Sequence, residues 1–292
     1  MERNSFSSTI ERVEELAAQA MHRKETSAAN APTKLFLPGF DIGAMPNHLN
    51  RSSFIAPIAR GRRKFHRQEI MVSRRDCVLQ YTGEQLDEAD GDILMALIFF
   101  AGFHPLGEAV SLNRAQLLQK IERNLGNAQY KWLHRRLKAL TEGTLFLEAK
   151  KRDGSTKYKI GWSAAFHIVS SFTYDEIEKE YKYVLDPRWV EMFGNREYAL
   201  IDWKKRMMLR RGQDMAKTLQ RLIATSSDPL QHYALDWLKA KMDYSGRLRD
   251  FRDAIQCAVM ELERVEIIAH GKIELSTKRK EQLSLWIEFN VA

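Results

Sequence analysis

Between residues 128 and 141 the apolar side chains Tyr130, Leu133, Leu137 and Leu140 recur every three or four positions, which gathers them on one face of a helix. Lys131, Arg135 and Lys138 recur at the same period on another face, with His134 and Arg136 beside them. Ser111 leads into a shorter helix over residues 112–118, and Gly126-Asn127 breaks the chain between the two. After the longer helix the period drops to two. Leu145-Phe146-Leu147-Glu148-Ala149 and Lys157-Tyr158-Lys159-Ile160 flank Asp153-Gly154, a strong hairpin signal, with Lys150, Lys151, Arg152 and Lys157 around its tip. Upstream, residues 70–72 and 78–81 read as strands joined at Arg74-Arg75-Asp76. A helix starts near Asp87, which caps it, and Asp90 adds negative charge at the positive end of the helix dipole.

The second half repeats this order of elements without repeating the sequence. Asp186-Pro187 starts a short helix, and helices follow over residues 213–225 and 230–242. After the turn Asp243-Tyr244-Ser245-Gly246, a long helix over residues 247–264 has Leu248, Phe251, Ile255, Val259 and Leu262 as its apolar stripe. Arg247, Arg249, Arg252 and Gln256 lie on its polar side. Ile267-Ile268 and residues 283–289 read as strands around a second basic tip, Lys278-Arg279-Lys280. Helix, turn, helix and basic hairpin, taken twice, predict an α+β chain of two tandem winged-helix domains, 65–184 and 185–292. Residues 1–64 are expected to form a flexible, irregular arm. Ile10, Val13, Leu16, Ala17 and Met21 allow one short amphipathic helix there, and Arg60-Gly61-Arg62-Arg63-Lys64 closes the arm with a basic cluster.

A length of 292 residues suits two domains, and the net charge of +8 favours a polyanionic partner. The longest apolar run, residues 93–101, is too short to span a membrane and reads as a core helix. Glu2, Glu11, Glu14 and Glu15 are unlike a secretory signal. Cys77 and Cys257 show no paired spacing, and fit buried thiols in a reducing cytoplasm. The acidic stretch 87–92 invites a calcium-loop reading, but Leu97 stands where the required glutamate belongs, so capping is preferred. Phosphate loops, zinc-protease motifs, Cys-x-x-Cys and Gly-x-Ser-x-Gly are missing, so no catalytic residue, metal or cofactor is expected. A tyrosine nucleophile escapes any motif test, though Tyr130 and Tyr158 suit core positions.

Duplex DNA fits these features. A helix enters the major groove, where arginine can bond guanine and glutamine can bond adenine with two hydrogen bonds each. The candidate DNA-binding residues are Lys131, Arg135, Arg136 and Lys138, then Lys150, Lys151, Arg152 and Lys157 in the first half. In the second half they are Arg247, Arg249, Arg252 and Gln256, then Lys278, Arg279 and Lys280. Either stripe alone could be a solvated helix face; two, each followed by a basic hairpin, favour function.

Four stretches then carry a family resemblance. They are Leu37-Pro38-Gly39-Phe40-Asp41-Ile42-Gly43-Ala44-Met45-Pro46-Asn47-His48-Leu49-Asn50, Gly61-Arg62-Arg63-Lys64-Phe65-His66-Arg67-Gln68-Glu69-Ile70, Gly194-Asn195-Arg196-Glu197-Tyr198-Ala199-Leu200-Ile201-Asp202-Trp203, and residues 212–226 from Gly212-Gln213-Asp214-Met215 onward. The chain resembles the TrfA-type replication initiators of IncP plasmids, in their short form, from about residue 35 to the end. The resemblance implies a non-catalytic cytoplasmic protein, associated with the plasmid and nucleoid, that binds double-stranded iteron repeats at a plasmid origin. It implies opening of an AT-rich region with the host initiator DnaA, and recruitment of the replicative helicase and the sliding clamp. It also implies a homodimer in equilibrium with an active monomer, and leaves single-stranded origin DNA open as a second ligand. A winged-helix transcriptional repressor is the alternative, and a tyrosine recombinase or relaxase is the enzymatic one.

Glu281-Gln282-Leu283-Ser284-Leu285-Trp286 resembles a clamp-docking peptide. As the last strand of a winged helix, however, it would turn Leu283 and Leu285 inward, and the core reading is preferred. By the resemblance, the clamp contact falls on Leu145 and Phe146, which begin the first hairpin.

Overall fold

The computed structural model describes residues 34–38, 43–58, 63–151 and 153–287. The helix expected over Ile10 to Met21, most of the basic cluster at 60–64, and Arg152 lie outside the described residues. Part of the expected arm is core. Strand β1 (Ala44–Pro46) runs into the one-turn helix α1 (Asn47–Asn50), and β1 pairs antiparallel with Tyr198–Leu200. Met45, Leu49 and Ile55 are completely buried. Prolines and glycines keep these elements too short to show a period, so only long-range burial defines them.

Strands β2 (Phe65–Ile70) and β3 (Cys77–Glu84) pair antiparallel across a bulge at residues 66–69, where Gln68 takes a φ of 51°. Helix α2 (Glu88–Ala101) opens with the expected cap: Asp87 accepts from the Ala89 and Asp90 amides, and the Asp90 carboxylate accepts from the Asp87 amide. It is buried from Asp90 to Ile98, which is why residues 93–101 show no helical period. Strand β4 (Ala109–Asn113) occupies the place read as the start of a helix. Helix α3 (Arg114–Lys120) begins later because Asn113 caps it, accepting from the Ala115 amide at 2.8 Å.

Helix α4 (Asn127–Glu142) buries Leu133, Leu137 and Leu140 as its spacing requires. The hairpin β5 (Thr144–Lys150) and β6 (Thr156–Ile160) follows. Next come β7 (Phe166–His167), β8 (Ser171–Asp175), β9 (Glu180–Val184), the short helix α5 (Trp189–Phe193) and β10 (Tyr198–Leu200). The first core has a sheet ordered β2-β3-β5-β6, with β7 added to β5, and a second sheet ordered β4-β9-β8. Trp189, Met192, Phe193 and Ile201 pack into this same core, so residues 185–201, assigned to the second domain from sequence, pack with the first.

A second core begins at Leu209. It is built from α7 (Asp214–Ile223), β11 (Leu230–Ala234), α8 (Leu235–Lys241), α9 (Leu248–Arg264), β12 (His270–Leu275) and β13 (Glu281–Trp286), while α6 (Trp203–Met208), which leads into it, packs Trp203 against the first core. The helix expected over 230–242 starts as a strand instead. Strand β13, the clamp-like string, is the centre of the sheet β11-β13-β12, with Leu283 and Leu285 fully buried. The order helix, strand, helix, helix, hairpin recurs in both lobes, but the pairing does not. β11 joins its own hairpin through β13, whereas β4 pairs with β9 and the first hairpin pairs with β3.

Both lobes belong to one compact unit, residues 36–292, and a buried ion cluster joins them. Glu88 of α2 accepts from Arg221 of α7 at 2.5 and 3.0 Å, from Arg206 of α6 at 2.8 Å and from Thr218 at 2.6 Å. Asp92 takes Arg206 and Lys217, each at 2.6 Å. Glu88, Arg206 and Arg221 are wholly buried. Burial alone would raise the Glu88 carboxyl; Arg221 and Arg206 outweigh it and hold it well below the usual carboxylate range. Lys241, also wholly buried, donates to the Ser52 carbonyl at 3.1 Å. Burial, then Arg221, pushes its ammonium down to about 7.

Candidate nucleic-acid interface

A cation that already holds a carboxylate is a poor phosphate ligand, so the candidate residues divide by their partners. On α4, Lys131 and Arg135 are exposed and make no ion pair among the described residues. Lys138 has Glu142 at 3.7 Å one turn away, with both side chains largely in solvent, a weak tie. Arg136 does not belong with them. It is 5% exposed and grips Asp90 at 2.6 and 2.9 Å and Glu84 at 3.0 Å. It therefore anchors α4 to the first turn of α2. Its spacing from Leu133 and Leu140 places it on the apolar side, the signal that its basic neighbours conceal.

His134 is exposed and sits beside Phe172, Tyr174 and Tyr181, with ring centroids 5.4–6.2 Å away. Arg114 lies 4.0 Å over the Tyr130 ring and donates to the Tyr174 hydroxyl at 2.6 Å. These contacts hold the N-terminal half of α4 against the β8–β9 hairpin, so its basic face is presented from a rigid seat.

In the first hairpin Lys151 is exposed and Lys150 half-buried, and neither holds a carboxylate among the described residues. Lys157 is drawn instead to Glu197 at 2.7 Å, away from the tip. Arg247, at the N-cap of α9, and Arg249 and Gln256 on it are exposed and without side-chain partners among the described residues. Arg252 is half-buried and makes two bonds to Glu281 of β13, one of them at 3.1 Å. It ties the long helix to its hairpin rather than standing free. Lys278, Arg279 and Lys280 are exposed, with Arg279 at a φ of 56° in the turn. Cys257 is exposed on α9, contrary to the expectation of two buried thiols; Cys77 is buried.

Leu145 is 1% exposed and Phe146 half-buried. Strand β5 carries β3 on one side and β6 and β7 on the other, so its backbone offers no open edge to a docking pocket. Among the described residues no group of three or more His, Cys, Asp or Glu is placed to hold a metal ion. Nor is any described helix long and apolar enough to cross a membrane.

The residues missed from sequence are those that set the lobes against each other: Glu88, Asp92, Arg206 and Arg221. Glu88 and Asp92 sit in a stretch that capping already explains, and a charged residue in a helix does not announce that its partner lies in another lobe.

No protein-family model matches the chain, and no curated protein matches it. Among solved structures, RctB domains 2–3 superimpose with a TM-score of 0.52 at 12% identity, covering 81% of this chain and 96% of that one. A selenomethionine form of the same two domains gives 0.52 at 11% identity, covering 80% and 95%. At this identity the likeness is one of fold: a mixed helix-and-strand architecture shared over nearly all of the RctB fragment.

Proposed function

We propose that this chain is a plasmid replication initiator of the TrfA type, with two winged-helix lobes that bind iteron repeats in duplex DNA. The observation that carries this reading is the pair of exposed faces on α4 and at the start of α9, whose Lys131, Arg135, Arg247 and Arg249 hold no carboxylate among the described residues, each followed by a basic hairpin tip. The shared fold with RctB domains 2–3 is initiator-like and supports the same direction. Two readers rigidly joined on one chain suit successive major grooves of a repeat, and an array of such contacts can bend or underwind the duplex. DnaA, the replicative helicase and the sliding clamp enter as partners through the family resemblance, as do the dimer–monomer equilibrium, binding of melted single strands and a nucleoid-associated cytoplasmic location. A clamp contact through Leu145 and Phe146 requires β5 to leave its sheet.

Chemical footprinting on a plasmid origin tests the proposal. Protection of a direct-repeat array with melting of a neighbouring AT-rich segment supports it. Protection of a promoter without melting supports a repressor instead. A covalent adduct surviving denaturation would establish a recombinase or relaxase. Burial raises the phenols of Tyr181 and Tyr233 to about 12, the opposite of what an activated nucleophile at either position needs.

Within this reading the two kinds of contact separate by substitution. Gln256→Ala is expected to weaken binding on the order of 10- to 100-fold on the preferred repeat and little on scrambled DNA. Lys151→Ala is expected to weaken both equally and to flatten the log–log salt dependence by about 0.9. Anisotropy titrations on matched and scrambled duplexes check both, and a reversed pattern exchanges the assignments.

A further inference from the structure

The turn between β2 and β3 carries adjacent arginines, Arg74 and Arg75, which the sequence marks only as a strand junction. The fold puts them where the two lobes meet. Cys77 pairs with Ala149, and the Lys150 amide donates to the Asp76 carbonyl at 2.8 Å, so the turn lies against the first basic hairpin near its tip. Across from it stand His232 and Tyr233 of β11 and Trp237 of α8, and these residues line an open groove with the turn. One wall is first lobe and the other is second lobe.

The groove carries positive charge that no carboxylate among the described residues pairs with. Arg75 is exposed and Arg74 half-buried, and neither side chain has a hydrogen bond or ion pair among the described residues. Asp76, the acid of the same turn, is held by Arg51 at 3.3 Å. Burial, then Arg74, lowers the Arg51 guanidinium, and Arg74 presses on Lys241 as well, so its field reaches into the junction. The second-lobe wall is fixed: the Tyr233 and Trp237 rings stack 6.3 Å apart at 16°, and His232 Nδ1 lies 2.8 Å from Ser284 Oγ. A rigid wall facing paired guanidiniums suits an anion with oxygens at regular intervals along a chain.

We propose that this interlobe groove binds the phosphodiester backbone of duplex DNA, with Arg74 and Arg75 as phosphate ligands. The inference rests on the DNA-binding reading above and deepens it. The groove holds backbone near the lobe junction, and its contacts fix position without reading sequence. It adds to the lysines of the neighbouring hairpin a site that exists only when both lobes are in place.

The full-length Arg74→Gln/Arg75→Gln variant tests this, titrated by anisotropy with a repeat-bearing and a random-sequence duplex over a range of salt. Removing two phosphate ligands is expected to flatten the log–log salt slope by about 1.8 and to weaken binding to both duplexes by similar factors, on the order of 10-fold or more. The thermal midpoint is expected to hold, because neither side chain has a partner among the described residues; the single exposed-site variant Arg75→Gln, expected to flatten the slope by about 0.9, keeps the test open if the double variant misfolds. A wild-type slope in the variant, or a loss confined to one of the two duplexes, overturns the groove while leaving duplex binding intact. A flat salt response in the wild-type chain overturns the DNA-binding reading and the groove together. Lys151→Ala, outside the groove, separates the two: it flattens the slope whenever the hairpin meets DNA, whatever Arg74 and Arg75 do.

Discussion

Replacing Arg221 with methionine is expected to cost about 3–5 kcal/mol of unfolding free energy, the usual penalty for breaking a buried ion pair from one side. Arg221 binds both oxygens of Glu88 and also donates to Asn50 Oδ1 at 3.3 Å and the Ile55 carbonyl at 3.0 Å. One side chain of the second lobe therefore ties α2, α1 and the segment after α1. Without it, Glu88 retains Arg206 and Thr218 but is a buried carboxylate with half its compensation gone. A double-mutant cycle with Glu88→Gln isolates the pair, and the double variant is expected to lose less than the two single losses combined. Urea denaturation followed by tryptophan fluorescence measures this; a midpoint unchanged from wild type would show that the lobes do not depend on the cluster. The pH sign is also fixed. The folded Glu88 carboxyl titrates below its ordinary value of 4.5, so its contribution is present above that pH and is lost as pH falls through the folded value. Arg221→Met is thus expected to flatten the acid limb of the stability curve.

The second large effect has the opposite direction. Lys241→Met is expected to stabilise the chain at neutral pH by a few kcal/mol, on the order of 2–4, since a buried ammonium is replaced by an apolar side chain of similar length. In the wild type, Lys241 titrates near 7 folded and near 10.5 unfolded. Between those values the unfolded chain binds more protons, so stability rises with pH. Its contribution is complete above 10.5 and has been lost once pH falls through about 7. The difference between wild type and variant should therefore shrink steadily from pH 7 toward pH 10 as measured by chemical denaturation. A difference that stays constant with pH would mean that Lys241 binds its proton equally well folded and unfolded, and a destabilised variant would mean that the Ser52 carbonyl contact outweighs the cost of the buried charge.

These two residues show where sequence reading stops. Lys241 closes a helix whose polar positions look like ordinary solvent-facing lysines, and Arg221 lies on α7 among a mixture of polar and apolar neighbours. Each is buried by the other lobe, and a helix carries no mark of what will cover it. The same limit explains the misplaced arm: Met45, Leu49 and Ile55 look like isolated apolar residues between prolines until their partners arrive from the distant β10 and α2. Arg136 and Arg252 stand next to true surface cations, and only the carboxylates that hold them, Asp90 and Glu281, reveal that they pack rather than reach outward.

The sequence by itself determined what local signals control: the helices α4 and α9 with their apolar stripes, α2 from its continuous apolar run and Asp87 cap, and the hairpins around Asp153-Gly154 and Lys278-Arg279-Lys280. It also marked the string Glu281 to Trp286 as a buried strand, because alternation alone puts Leu283 and Leu285 on one face. Tertiary structure alone decided how the lobes are joined, which strands pair, which cations stay free, and that Arg74 and Arg75 face Trp237 across a groove. Those outcomes depend on charges and apolar surface brought together from remote parts of the chain. Such encounters leave no period in the sequence, because the geometry that creates them is a property of the folded whole.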